Sequence, residues 1–390
     1  MKYKFSTFNF QFSILLLLLS GCCKEPFVVP PPIVDPPPIS TQRTVLVYLG
    51  VDNNFRGEAA EKIDTLKRNW NKNIDGNLLV YADSGTKPVL VHIYHSERRG
   101  NVADTIAIYA AENSANPATF ARVLNTVKTY CPAASYGLIV LSHASGWLPA
   151  NMSWPIKLRS VIIDTGTSEP NNYMELANFA EAIPYKLDFL IFDACFMGAV
   201  EVAYELKDKV DYIVASPAEV LVPGFVYASM MQHLFQQPPD LTAVASDFYE
   251  YYNNKNGIFR SATVNLVKTS ALDALVSIFK EITAGIHPFS ESIGSIQTFG
   301  FGNTQKIYFD LGDRLQQLAP GKLTEIQAAF DQCVLYKANT PSYFSAGTDV
   351  SHPIHAFSGL TVYIPQAAYP EANAAYSRLK WAKATDYVTP

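Results

Sequence analysis

A cysteine stands at the end of an apolar strand pattern in the segment LDFLIFDACFMG, Leu187–Gly198. The pattern runs to Asp193-Ala194-Cys195 and then changes to helical spacing, which predicts a helix that begins just after the cysteine. A thiolate, and not a thiol, attacks a carbonyl carbon, and the unpaired N–H groups and macrodipole of a helix N-terminus lower a cysteine's pKa. Cys195 is therefore a candidate nucleophile.

A histidine occupies the same kind of position upstream. The apolar strand pattern YGLIVL, Tyr136–Leu141, ends in Ser142-His143 and places an imidazole at a second strand end. An imidazole beside a thiol can take up its proton and later protonate a leaving group. Taken singly, Cys195 is explained as a core cysteine and His143 as a hydrogen-bonded strand-end histidine. Taken together, they favour catalysis.

The residues around both side chains resemble the clostripain family of cysteine peptidases, which shares a clan with caspases, legumains and gingipains. The separation of 52 positions from His143 to Cys195 suits a caspase-like sheet, in which the histidine lies about 50 residues upstream of the cysteine. The resemblance implies that Cys195 attacks the scissile carbonyl with the help of His143 and forms an acyl-enzyme. The segments that carry it, which span nearly all of the chain after residue 43, are LSHASGW, FDACFMGAVEVAYEL, TVLVYLGVDNN, YIVAS and GLTVYIP.

The same resemblance implies a set of positions around the reacting bond. The backbone N–H groups of Cys195 and Ala144 would hold the oxyanion. The family usually has glycine at the second position, and the Cβ of an alanine narrows the backbone conformations and crowds the substrate channel. Asp193 would line the S1 pocket and select Arg or Lys, although an Asp here also suits a cap of the following helix. Glu219, in the loop Pro217–Gly224, is a candidate second acidic wall.

Several members of the family are made as zymogens and cut themselves after the catalytic histidine. Here that segment is Leu148–Val161, and it contains Lys157 and Arg159. A basic residue in a loop beside a site that prefers basic residues predicts self-cleavage at Lys157-Leu158 or Arg159-Ser160. The alternative is that both side chains solvate a connection between strands and that the chain acts uncut.

From Thr44 onward strand patterns alternate with helix patterns, which predicts an α/β fold. We expect a caspase-like α/β/α sandwich with a mainly parallel sheet, a hairpin at Asn77–Tyr94 and an elaborated helical C-terminal half. An apolar stripe from Ala199 to Val210 predicts that the helix after Cys195 packs on the sheet. The other predicted strands are Thr44–Gly50, Tyr136–Leu141, Leu187–Asp193, Tyr212–Ala215, Ser261–Val267 and Leu360–Ile364, and the other helices are Leu241–Tyr252, Ser270–Ala284 and Lys322–Tyr336.

The first residues predict export and a lipid anchor. Residues 1–21 begin with lysines ahead of a short apolar run, as a signal peptide does. The LSGC that ends at Cys22 resembles the lipobox of bacterial lipoproteins, with an ordinary secretory cleavage site as the alternative. Residues 22–42 form a proline-rich spacer, and residues 43–390 form the peptidase domain. The predicted location is the bacterial cell envelope, lipid-anchored at the outer membrane and facing the periplasm or the outside.

Composition narrows the partners and leaves two alternatives open. A net charge of −5 without runs of like charge argues against nucleic acid. We expect no metal and no cofactor, with calcium dependence left open, and a monomer whose substrates are proteins or peptides with Arg or Lys before the cut. A lipid-anchored glycan- or protein-binding module, or a degenerate clostripain-like protein, would explain the anchor without catalysis. Cys131 and Cys333 are either a disulfide or two buried hydrophobic residues.

Overall fold

The computed structural model describes residues 42–85, 87–149, 152, 161–166, 172–300 and 306–387. The predicted signal peptide, the predicted lipidation site Cys22, the predicted spacer up to residue 41 and the candidate cleavage residues Lys157 and Arg159 lie outside the described residues. None of the helices that are described is long and apolar enough to span a membrane.

The described part of the chain contains sixteen strands, nine of which form one sheet. They are β1 (Arg43–Gly50), β2 (Asn77–Asp83), β3 (Val89–Ser96), β4 (Gly100–Ile108), β5 (Ser135–Leu141), β6 (Ile162–Ile163), β7 (Tyr173–Met174), β8 (Leu187–Asp193), β9 (Val210–Ala215), β10 (Thr263–Lys268), β11 (Thr298–Phe299), β12 (Tyr308–Asp310), β13 (Val334–Asn339), β14 (Ser342–Ser345), β15 (Val350–Pro353) and β16 (Thr361–Val362).

The central sheet has the order β13-β10-β9-β8-β5-β1-β2-β3-β4. Its middle strands, from β9 to β2, run parallel. Antiparallel strands complete both edges, with β3 and β4 at one and β10 and β13 at the other. The predicted mainly parallel sheet is confirmed, and the predicted hairpin is β2 and β3.

Helices cover both faces of this sheet. One core packs α1, α5 and α6 against the sheet, and a larger core on the other face contains side chains from the remaining described helices. These layers form the predicted α/β/α sandwich. The helices are α1 (Arg56–Asn69), α2 (Pro117–Tyr130), α3 (Leu176–Ala182), α4 (Val200–Glu205), α5 (Tyr227–Leu234), α6 (Leu241–Asn253), α7 (Asp273–Thr283), α8 (Leu311–Leu318), α9 (Leu323–Cys333), α10 (Pro370–Tyr376) and α11 (Lys380–Thr385).

Strand β8 explains how one sequence pattern builds both cores. Successive side chains of a strand point to opposite faces. Leu190 and Phe192 belong to one core, whereas Phe189 and Ile191 belong to the other. A strand that is buried on both faces is apolar at nearly every position, which is why β8 reads as a continuous hydrophobic run. Packing on both faces therefore fixes where this strand ends.

Several predicted elements differ from the structure. The helix after Cys195 is α4, which begins at Val200 and is buried at every position, and Val210 already opens β9. The apolar stripe joined two elements because both are buried. The predicted helix Lys322–Tyr336 ends at Cys333, where the chain enters β13 and its exposure alternates. The closing strand, β16, lies in a separate small sheet with β11 and β12.

The two cysteines Cys131 and Cys333 are free and buried. Of the two alternatives that the sequence left open, two buried hydrophobic residues is therefore correct and a disulfide is wrong. Burial raises the pKa of each thiol to about 12, so both stay uncharged at neutral pH. Cys195, by contrast, is only half-buried.

Thiol titration should separate these cysteines. We expect a chain lacking residues 1–41, which retains three cysteines, to react through Cys195 alone before unfolding, because Cys131 and Cys333 are at most 1% exposed. All three should react in denaturant, and Cys195→Ser should remove the native reaction. A single reactive thiol after unfolding without reductant would contradict the free state of Cys131 and Cys333.

Candidate active site

The sheet places Cys195 and His143 at equivalent positions of neighbouring strands. β5 and β8 pair in parallel, with Leu141 opposite Asp193 at their ends. His143 and Cys195 each follow two residues later, so both leave the sheet at the edge formed by the carboxyl ends of the parallel strands. Open α/β sheets bind their ligands at this edge. The predicted pair therefore belongs to one region of the molecule.

The thiol of Cys195 lies against the loop that follows β9. The Val220 N–H donates to the sulfur Sγ at 3.3 Å, and a donor to sulfur stabilises the thiolate relative to the thiol. The next residue, Phe196, has a φ of +61°, and its N–H donates to the Ala218 carbonyl at 3.1 Å. This loop therefore fixes the turn that carries Cys195 and supplies a hydrogen-bond donor to its sulfur.

The prediction that a helix N-terminus lowers the pKa of Cys195 is wrong. The chain forms a turn around Cys195, and α4 begins only at Val200. The favourable field of a helix N-terminus falls off within the first turn, so a helix that starts five residues later does not activate the thiol. Phe196 interrupts the helical spacing, because its left-handed backbone conformation cannot form part of a right-handed helix. The hydrogen-bond donor at the Cys195 sulfur is the Val220 N–H, and not the N-terminus of α4.

His143 is held by two residues of the loop between β1 and α1. Its Nε2 lies 2.6 Å from Asn54 Oδ1, and its ring stacks on Phe55 with centroids 4.0 Å apart. With Nε2–H donating to Asn54, proton exchange by the ring falls to Nδ1. Asn54 binds the imidazole, while the Asn53 side chain accepts from the Phe55 N–H at 2.9 Å and forms a turn.

The loop that holds His143 is itself braced by the segment after the candidate cleavage region. The Thr165 N–H donates to the Asp52 carbonyl at 2.8 Å, and the Asn53 amide donates to the Ile163 carbonyl at 3.1 Å. Gly166 packs so closely on Asp52 that a Cβ at this position would lie 1.7 Å from Oδ2. Residues 161–166 thus connect the cleavage region to the loop that orients the imidazole.

Tyr308 ties the histidine loop to the cysteine loop. Its hydroxyl donates to the Ser145 carbonyl at 2.7 Å, and its ring stacks on Phe196 with centroids 4.7 Å apart. Gly146, with a φ of +61°, brings the histidine loop so close that a Cβ there would lie 2.8 Å from the Phe196 carbonyl oxygen. No pattern in the sequence identifies Tyr308 as a residue of the site, because it is one of 22 tyrosines and lies far along the chain from both motifs.

A cavity opens beside the thiol. Its enclosed part is small, about 30 Å³, which is room for roughly one water molecule. Phe55 forms part of the wall and so connects the cavity to His143. The other lining residues are Glu58, Leu141, Ser142, Asp193, Ala194, Cys195, Val220, Leu221, Val222, Pro223 and Gly224.

Asp193 is the buried acid of this cavity and is only 5% exposed. The Phe225 N–H donates to its Oδ1 at 3.3 Å, and the hydroxyl of the buried Tyr227 also faces this carboxyl group. Burial raises the pKa of Asp193 to about 6, and the positive charge of Lys62 opposes that rise. The alternative role as a helix cap is wrong, because α4 begins without a side-chain cap.

Glu219 and Ala144 lie outside the lining of the cavity. Both carboxylate oxygens of Glu219 accept hydrogen bonds from the hairpin of β14 and β15, one from the Ser345 hydroxyl at 2.9 Å and one from the Ala346 N–H at 3.1 Å. Ala144 is buried in the larger core. The acid that accompanies Asp193 in the cavity is instead Glu58, from the first turn of α1, which the sequence did not single out.

The described residues contain no group of three or more His, Cys, Asp and Glu side chains arranged to hold a metal ion. The chemistry available at this edge is that of a thiol, an imidazole held by an amide, and a carboxylate in an adjoining cavity. A thiol and an imidazole on adjacent strand ends of an α/β/α sandwich are the arrangement expected of a caspase-like cysteine peptidase.

Comparisons with known proteins agree with this class. A family model described as the clostripain family matches residues 47–346. Clostripain from Hathewaya histolytica is 26% identical over 222 residues, which is 49% of this chain and 42% of that protein. The match therefore spans less than half the length of this relative.

Two solved structures share the fold over nearly their whole length. An inactive zymogen C11 protease from Parabacteroides distasonis is 29% identical with a TM-score of 0.78, covering 89% of this chain and 99% of that one. A secreted C11 cysteine protease from Bacteroides thetaiotaomicron, in complex with an irreversible peptide inhibitor, is 26% identical with a TM-score of 0.78 and the same coverage. The chain belongs to the clostripain family of cysteine proteases.

Substitution of Tyr308 tests the link between the two loops. Burial raises the pKa of Tyr308 well above its usual value, so its hydroxyl stays protonated as a donor. Tyr308→Phe keeps the ring stack but removes the bond to Ser145, and we expect a loss of about 1–3 kcal/mol in the free energy of unfolding. We also expect a lower kcat, because Ser145 lies two residues from His143.

Tyr185→Phe is the matched control, since it removes a hydroxyl bond of 3.0 Å to the Leu124 carbonyl on α2. Urea unfolding and peptide hydrolysis measure both variants. The control should lose stability without losing kcat. Equal effects on kcat in the two variants would contradict a specific role for Tyr308.

Proposed function

We propose that the protein is a cysteine endopeptidase that hydrolyses peptide bonds after Arg or Lys, with Cys195 as nucleophile and His143 as general base and acid. The observation that carries the proposal is the register of β5 and β8. It puts the two residues at equivalent strand ends, beside a cavity that contains both the Cys195 thiol and the Asp193 carboxyl group. Membership of a cysteine protease family supports an enzyme over a glycan- or protein-binding module.

The proposed reaction proceeds through an acyl-enzyme. His143 takes the proton of the Cys195 thiol, and the sulfur attacks the carbonyl carbon of the scissile bond. The N–H groups of Cys195 and Ala144 stabilise the resulting oxyanion. The C–N bond then breaks as the imidazolium gives its proton to the leaving amine. A water molecule, deprotonated by His143, releases the acyl group and restores the thiol.

Asp193 is the proposed determinant of the basic residue before the cut. Its buried carboxyl group borders the cavity beside Cys195, and a charged carboxylate is costly to bury. An arginine or lysine side chain that enters the cavity would lower that cost. Residues Val220–Gly224 line the same cavity, so they would lie against the bound side chain.

Hydrolysis of matched fluorogenic peptides tests this proposal. Asp193→Asn should lower kcat/KM for an Arg peptide by roughly 10²-fold, the scale of losing one partner of a buried ion pair, and Cys195→Ala should abolish turnover. The wild type should lose Arg cleavage as the pH falls through about 6, because Asp193 becomes protonated there. Asp193→Asn should lack this dependence in its Arg-to-neutral ratio. Unchanged Arg preference in Asp193→Asn would move the specificity elsewhere, and full activity in Cys195→Ala would exclude the mechanism.

We propose that the enzyme is made as a zymogen and cuts itself after Lys157 or Arg159. Support comes from the sequence of this segment and from the relative described as an inactive zymogen. Residues 161–166, which follow the cut, bind the loop that holds His143, so cleavage would release a constraint next to the imidazole. The narrow cavity is consistent with an uncut, closed state.

Mass spectrometry of purified wild type beside Cys195→Ala tests self-processing. We expect a cut after Lys157 or Arg159 in the wild type and an intact chain in the variant. Lys157→Gln/Arg159→Gln should leave the wild-type cysteine in place but prevent the cut and delay activity. A fully active wild-type chain that remains intact would exclude self-processing.

The proposed location is the bacterial cell envelope. The sequence support is the leader of residues 1–21, the lipobox-like LSGC and the proline-rich spacer. A lipid on Cys22 would tether the peptidase body to a membrane, and the spacer would hold it at a distance. We propose a monomer without a metal or other cofactor, whose partners are exposed peptide segments with a basic residue.

A further inference from the structure

The cavity beside Cys195 contains two acids and borders one base. Asp193 and Glu58 line it, and Lys62, one helical turn after Glu58 on α1, lies behind its wall. The Lys62 ammonium group is 3.6 Å from Glu58 Oε2, and its charge acts on Asp193, where it opposes the effect of burial. The three charges must therefore be considered together.

Lys62 is held where it stands. Its side chain is only 6% exposed, its Nζ donates to the Pro223 carbonyl, and it lies over the Tyr227 ring at 4.7 Å from the centroid. The hydrogen bond from Lys62 also holds Pro223, which belongs to the loop that covers the Cys195 thiol.

Two acids and one base leave the cavity and its wall with one surplus negative charge. Without Glu58 the charges of Asp193 and Lys62 would sum to zero, and a cationic side chain would have little advantage over a neutral one of the same shape. Glu58 adds one negative charge. A substrate cation can therefore neutralise one surplus charge, which is the charge that Glu58 adds.

Glu58 is placed to contact an incoming side chain. Its side chain is 19% exposed, it lines the same cavity as Cys195, and its Oε2 has no hydrogen-bond partner among the described residues. It follows Phe55, which stacks on His143, by less than one helical turn, so its carboxylate belongs to the same rigid unit as the imidazole. Glu219, the second acid suggested by the sequence, is instead bound to the β14–β15 hairpin.

We propose that Glu58 is a specificity-determining residue: it lines the cavity with Asp193, and these two acids beside the single base Lys62 leave the cavity with a net negative charge. This inference rests on the proposed cleavage after Arg or Lys and adds a second acid to it. It implies that Asp193 orients the substrate cation at depth, whereas Glu58 provides the charge that distinguishes a cation from a neutral side chain.

The test compares peptides that differ only by arginine or citrulline before the cut, since citrulline has nearly the shape of arginine without its charge. We expect Glu58→Gln to lower the arginine-to-citrulline ratio of kcat/KM by about tenfold or more, as expected for losing one member of a partly desolvated charge pair. Glu61→Gln is the matched control, because it removes a charge from an exposed position of the same helix and should leave the ratio unchanged.

A second variant isolates the charge count. Glu58→Gln/Lys62→Met restores one surplus negative charge and should recover most of the lost ratio, even if its stability falls through the missing bond to Pro223. The rate at which iodoacetamide alkylates Cys195 checks that the nucleophile is intact in each variant.

The outcomes separate this inference from the function on which it rests. A wild type that prefers arginine strongly, with Glu58→Gln no different from Glu61→Gln, would overturn the role of Glu58 and leave the proposed function standing. A wild type that cleaves both peptides equally would overturn both. A double variant as poor in discrimination as Glu58→Gln would contradict the neutralisation by Lys62.

Discussion

The site depends on one constraint, the parallel pairing of β5 with β8 in a single register. Burial on both faces of the sheet fixes where these strands end, and Leu141 opposite Asp193 fixes their relative position. A slip by one residue would turn every side chain of the strand to the other face. It would move the thiol away from the cavity and the imidazole away from Asn54. The hydrophobic core is thus the part of the protein that aligns Cys195 and His143.

Burial and contacts from distant parts of the chain determine the electrostatics around Cys195 and Asp193. Asp193 is kept at a raised pKa by desolvation, and Lys62 limits that rise. The loop after β9 supplies an N–H to the Cys195 sulfur and glycine packing against Asp193. One loop therefore bounds the cavity and donates a hydrogen bond to the Cys195 sulfur.

The sheet and the candidate pair His143 and Cys195 could be predicted from the sequence. Strands that are buried on both faces leave long apolar runs, and both residues lie just after the ends of such runs. It predicts poorly what tertiary contacts decide. Because the chain forms a turn at Phe196, α4 begins later than predicted. No local sequence pattern indicates that this bulky residue adopts a left-handed backbone conformation. Asn54 and Tyr308 act through folding that joins remote segments. Glu58 and Glu219 are alike in the sequence, and only packing places one in the cavity and the other on a hairpin.

Alkylation by a peptidyl chloromethyl ketone with arginine before the reactive group tests the central claim most directly. This reagent is held by the specificity cavity and traps a reactive thiol, so peptide mapping by mass spectrometry reads out both properties at once. The structure predicts one adduct, on Cys195, whose formation slows strongly in His143→Ala while iodoacetamide still reaches the thiol. An adduct on Cys131 or Cys333, or an unchanged rate of Cys195 labelling in His143→Ala, would contradict a site in which the register of β5 and β8 joins these two residues.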